Sequence, residues 1–183
     1  MENENNPLPE VVDQEVATTD EIQINPDKLN LYMEKIKLEQ NLPMGLFGGF
    51  AAALTGALLW AVITVVTEYQ IGYMAIAIGF LVGYSVREFG KGVSTIFGIM
   101  GAGFALLGCV MGNFFSLIGF FANAEGLGYF EILGMIDFTL VPQLMIESFN
   151  PMDVLFYGIA IYEGYKFSFR QLTDQEILAN AVD

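Results

Sequence analysis

The stretch from Gly83 to Thr95, GYSVREFGKGVST, frames Lys91 with two glycines ahead of a serine and a threonine, the residue types from which phosphate-binding loops are built. Such a loop needs the order G-x-x-x-x-G-K-[ST], in which backbone N–H groups cradle phosphates and a hydroxyl holds magnesium. Here Ser85 stands where the first glycine belongs and Gly92 follows Lys91, so the pattern fails twice and a polar turn is expected instead. Glu163 is the second group with chemical potential. It precedes Lys166 by one helical turn, and a carboxylate below the lipid headgroups needs a partner. Arg87 or Lys91 would supply one, and a structural Glu163–Arg87 clamp is expected ahead of a proton or substrate site. The chain has no histidine and one cysteine, Cys109, which excludes an intramolecular disulfide, a multi-cysteine metal site and the commonest general base. Neither a catalytic residue nor a cofactor or metal site is therefore expected, and Cys109, among small residues, is read as packing.

The elements that must position these groups are membrane helices. Of the 183 residues, 54% are hydrophobic and only 15% charged, too apolar for an ordinary soluble domain. The net charge of −14 is concentrated in the first 27 residues, where eight carboxylates from Glu2 to Asp27 lie. Residues 1–25 carry no basic, apolar signal segment and read as a disordered acidic cytoplasmic tail. Asn25-Pro26-Asp27 then predicts the start of an amphipathic helix over 26–41. An uncharged run longer than the roughly 20 residues that cross a hydrocarbon core follows at 43–66, and further spans are expected at 71–86, 94–121 and 151–170. Residues 126–149 are apolar on average but hold Glu131, Asp137 and Glu147; since a carboxylate at bilayer depth costs about 3 kcal/mol, an interfacial helical hairpin is expected there. Glu131, Gly134 and Asp137 would share one side of its first helix. Thr139, Gln143 and Glu147 would line the second, with Thr139 as cap and Pro142 in the first turn. Residues 171–183 read as a polar cytoplasmic tail.

The expected fold is thus all-α, a polytopic bundle of four transmembrane helices with amphipathic flanks. Its threading follows from the 7 basic residues, Lys28, Lys35, Lys37, Arg87, Lys91, Lys166 and Arg170, which a four-span arrangement places on one side. By the positive-inside rule that side, with both termini, is cytoplasmic. Small residues at four-residue spacing, Gly45 and Gly49, Gly79 and Gly83, Gly108 and Gly112, predict close helix packing, within one bundle ahead of an oligomer interface. No single span holds the charged or carboxamide cluster that an ion route needs.

Two stretches, W-A-x-I-T-x-x-T-x-Y-x-I-G over Trp60 to Gly72 and A-I-x-I-G-x-x-V-G-x-x-V-R-x-x-G-x-G over Ala75 to Gly92, resemble a group of small, uncharacterised bacterial multi-pass membrane proteins. The last helix joins that resemblance, which covers roughly half the chain. It implies an inner-membrane location and carries no activity. Three functions follow in order of expectation: a structural or accessory subunit packing with itself or a larger membrane complex, a small oligomeric channel or transporter, and an interfacial lipid-modifying enzyme using outer carboxylates. The expected partners are the lipid bilayer and a second copy or larger complex, not nucleic acid.

Overall fold

A computed structural model describes residues 25–181, whose regular structure is entirely helical: α1 (Pro26–Leu38), α2 (Leu42–Thr67), α3 (Tyr73–Gly90), α4 (Thr95–Glu125), α5 (Tyr129–Met135), α6 (Val141–Ser148), α7 (Pro151–Phe167) and α8 (Asp174–Ala181). Three of these helices start on an asparagine cap followed closely by proline. Asn25 Oδ1 accepts from Asp27 N, Asn41 Oδ1 from Met44 N and Asn150 Oδ1 from Met152 N, at 3.0–3.1 Å. At α7 the cap is reciprocal, because Asp153 Oδ2 accepts from Asn150 N at 2.9 Å and its carboxylate is thereby satisfied while buried. The proline in each first turn gives up an N–H that has no intrahelical partner there.

Among the described residues, α2 and α4 are long and apolar enough to cross a membrane, and α6 with α7 makes a third if that pair, bent by 99°, is one broken span. Close approaches give the helix directions. Gly45 lies beside Gly90 and Gly56 beside Ile78, so α2 and α3 are antiparallel; Gly49 lies beside Phe104 and Gly119 beside Val65, so α2 and α4 are parallel. Gly72 meets Phe156 and Gly83 meets Phe167, so α7 runs parallel to α3, and Gly98 meets Tyr165, so it runs antiparallel to α4. The four form an up-down-up-down bundle in which α3 and α4 touch across the short diagonal. Its core holds Trp60, Ile78, Val82, Val86, Phe97 and Ala105. Lipid offers apolar surface as favourable as leucine, so this association rests on packing, and the glycines permit it.

The expected glycine pairs all pack inside the bundle. A Cβ on Gly45 would stand 3.0 Å from Met100, on Gly49 2.6 Å from Phe104, on Gly83 2.8 Å from Phe167, on Gly108 2.8 Å from Ile78 and on Gly112 2.9 Å from Trp60; on Gly79 it would overlap the Ala160 carbonyl. Residues 126–149 hold two short helices, of which α5 rests on α4 through Ile132, Ile118 and Ala122. Details of this segment differ from expectation. Helix α5 ends before Asp137, whose carboxylate instead accepts from Thr139 N and Oγ1 at 2.9 and 2.7 Å; this local turn occupies Thr139, and Leu140 takes the cap position of α6. Beyond α7, where a polar tail is expected, α8 forms and packs on α1. The disordered-tail expectation for the first 24 residues lies outside the described residues.

Candidate functional site

Every lysine and arginine sits at one end of the bundle or on a segment joining that end, and the GKG turn is its junction. Asn41 N donates to the Gly90 carbonyl at 2.8 Å and Arg170 N to the Gly92 carbonyl at 2.8 Å, which ties α2, the α3–α4 turn and the end of α7 together. Gln40 Oε1 accepts from both Val93 N and Ser94 N at 3.1 Å, a cap for α4 supplied from another segment. Lys91 adopts φ 48°, and the Phe97 ring fills the space a side chain at Gly92 would need. Three of the turn's backbone donors, Lys91, Val93 and Ser94 N, are thus committed to protein oxygens rather than turned toward a phosphate.

Above the turn lies an open cleft of about 400 Å³ lined by Glu39, Arg87, Glu88, Lys91, Arg170 and Gln171. Its main contact is Arg170 Nη1 to Glu39 Oε2 at 2.7 Å. That bond holds the Glu39 carboxyl below the usual carboxylate range and pushes the Arg170 guanidinium further up. Arg87 lies 3.6 Å from Glu88 and covers the Tyr84 ring. The expected Glu163–Arg87 clamp is not formed: among the described residues no hydrogen bond or ion pair joins them. Gly83 faces the Glu163 carbonyl, Arg87 lies a turn beyond, and its guanidinium folds onto its own helix. Lys166 lies near the Tyr162 and Phe167 rings, and Lys28, Lys35 and Lys37 ride on α1.

The opposite end carries only carboxylates as charged groups, and each that sequence singled out there serves local structure. Glu131 accepts from Gly128 N, Asp137 from Thr139 and Glu147 from Gln143. They are not gathered, and groups of three or more His, Cys, Asp or Glu that could hold a metal ion are absent among the described residues.

A polar constellation that sequence reasoning missed enters the bundle from this end. Tyr157 Oη donates to the Cys109 carbonyl at 3.2 Å, so it accepts from Asn113 Nδ2; Asn113 Oδ1 in turn accepts from Gln70 Nε2 at 2.9 Å. A carbonyl can only accept, and that fixes the direction of the whole relay. Beside it Ser116 is buried, and Thr64 Oγ1 and Trp60 Nε1 are buried without a hydrogen-bond partner. No span by itself contains a carboxamide cluster, but the fold assembles one from residues 43 and 44 positions apart. The available signal was Asn113 itself, a carboxamide amid an apolar span.

No family model matches this chain, and the searches of curated proteins and of solved structures likewise return no match.

Proposed function

We propose that the chain is a four-span protein of the bacterial inner membrane, both termini cytoplasmic, acting as a structural or accessory subunit that packs with itself or within a larger membrane complex. The four-span reading is supported by direction. Helices α2 and α4 run parallel, so if both cross the bilayer the chain must return between them, and α3 is the helix that connects them. Helix α7 runs back along α4 in the same way. At 18 and 17 residues these two helices are about 27 and 26 Å long, close to a hydrocarbon core of roughly 30 Å.

The observation that carries the functional reading is the closed interior. Gly79 sits on the Ala160 backbone and Gly101 on the Gly164 carbonyl, while Trp60 fills the space beside Gly112, so helix backbones and an indole occupy the axis where a conducting subunit would keep water. The carboxylates Glu131, Asp137, Glu147 and Asp153 are meanwhile spent on local hydrogen bonds. Purification in mild detergent, combined with crosslinking in cells, tests this: a stable homo-oligomer or a reproducible membrane partner is expected, and a monomer with no crosslinked neighbour would overturn it. A second reading, a channel or transporter subunit, is favoured by the Gln70–Asn113–Tyr157 relay. Solute flux in proteoliposomes would establish that reading instead.

A further inference from the structure

The relay borders a cavity of about 40 Å³ lined by Thr64, Gln70, Asn113, Ser116 and Ser148, among others. Its size suits one small ion or a very few atoms. Several oxygens around it have lone pairs to spare. Ser116 Oγ donates to the Gly112 carbonyl at 2.7 Å and Ser148 Oγ to the Met145 carbonyl at 3.1 Å, so both protons are committed to helix backbone. The Gln70 amide donates to Asn113, which leaves the Gln70 carbonyl oxygen uncommitted. The two serine oxygens and the Gln70 carbonyl oxygen thus retain lone pairs.

Thr64 points the same way. Thr55 and Thr67, on the same helix, return their hydroxyls to the Ala51 and Ile63 carbonyls at 2.8 and 2.7 Å. Thr64 does not, although it is 0% exposed, and an unpartnered hydroxyl in a membrane helix is costly. The surrounding charge is of one sign. Lys37 to Arg87 and Lys91 to Lys166 are free of intervening cations, whereas Glu68 and Glu147 are two residues and one residue from Gln70 and Ser148, and the buried Asp153 lies one turn from Tyr157. Carboxylates around the mouth of a low-dielectric recess raise the local concentration of positive ions.

We propose that this recess is a binding site for a small monovalent cation, of alkali or ammonium type, held by the oxygens of Thr64, Gln70, Ser116 and Ser148. With an ion bound, the Thr64 oxygen becomes a ligand and is no longer unpartnered. The site is independent of the accessory-subunit reading, because it lies within one chain and opens at the acidic end.

Thermal unfolding of the full chain in nanodiscs tests the proposal, in chloride salts of sodium, potassium, ammonium and the bulky N-methylglucamine cation at one ionic strength. At least one small cation is expected to raise the Tm saturably above the N-methylglucamine value. A response to sodium or potassium identifies an alkali site and a response to ammonium alone a hydrogen-bonded one. Thr64→Val is expected to abolish the increment while keeping or raising the Tm in N-methylglucamine. Ser148→Asp, at an exposed position, is expected to tighten the half-saturating concentration about tenfold by adding a charge at the mouth. Equal Tm values in all four salts, meaning a recess that holds water only, would overturn the proposal. So would an increment that survives Thr64→Val, or, if that variant does not fold, one that Ser148→Asp leaves unchanged.

Discussion

Lys91 and Glu39 show how single side chains secure the basic end. Lys91 ends α3 in the left-handed region at φ 48°, a conformation that costs an L-residue about 1–2 kcal/mol and glycine almost nothing. Its N–H donates to the Arg87 carbonyl at 2.8 Å, a bond that any residue can make. Lys91→Gly is therefore expected to raise resistance to unfolding by about 1 kcal/mol, read from the midpoint of a urea or SDS titration. Glu39 acts through charge. Arg170 lowers its pKa in the folded state, so the contact contributes fully above the unfolded-chain value of about 4.3 and is lost as pH falls through the lowered folded value. Glu39→Gln is expected to be slightly less stable at neutral pH, since the pair is exposed and screened, and to converge with the parent as pH falls through the lowered folded value. An acid limb identical in both proteins would show that the bond contributes nothing.

At the scale of elements, the glycines divide into those that hold helices together and those that do not. On α4, a Cβ at Gly101 would collide with Ser168 Oγ and the Gly164 carbonyl, whereas at Gly103, half a turn away, it would meet nothing within 4 Å. Overpacking of this kind costs about 1–3 kcal/mol, and an alanine that fits helps a helix by about 1 kcal/mol. Gly101→Ala should accordingly destabilise the α4–α7 contact while Gly103→Ala is neutral or stabilising, a contrast that paired thermal melts would reveal; equal melts would refute it. Sequence periodicity does not separate such residues, because it ranks a glycine by its neighbours in the chain and not by the backbone opposite. The same limit explains other differences. The local signal at Asn25 suffices to predict a helix start because a cap is made within four residues. The recess around Thr64 was illegible because its ligands come from α2, the α2–α3 turn, α4 and α6. Helix α8 does carry a local signal: Thr173-Asp174-Gln175-Glu176 has capping-box spacing, and Thr173 N donates to Glu176 Oε2 at 3.3 Å.

The whole molecule is polarised in charge and in length. Helices α2 and α4, with 26 and 31 residues, are about 39 and 46 Å long, and they outreach α3 and α7. The excess of α4 lies at the acidic end, where it carries α5, so this end projects beyond the bundle while the basic end is drawn together by the GKG turn. The proposed orientation rests on the positive-inside rule, because exporting the basic end would move Arg87, Lys91, Lys166 and Arg170 across the membrane together. The alternative is concrete: if α6 and α7 form one broken span and α3 does not cross, the two ends of the described chain fall on opposite sides. Single cysteines on a Cys109→Ala background, replacing Glu68, Glu131, Glu147, Lys37 or Gln171, separate the two arrangements. A membrane-impermeant maleimide applied to intact cells whose inner membrane is accessible should label the first three and spare Lys37→Cys and Gln171→Cys until that membrane is opened. Labelling of Gln171→Cys in closed cells, with Lys37→Cys protected, would establish an odd number of crossings and overturn the four-span reading. Because α2 and α4 are parallel neighbours packed through Gly49, Gly112 and Gly119, and two parallel spans need a return crossing between them, an arrangement in which α3 does not cross would also require the α2–α4 packing to break.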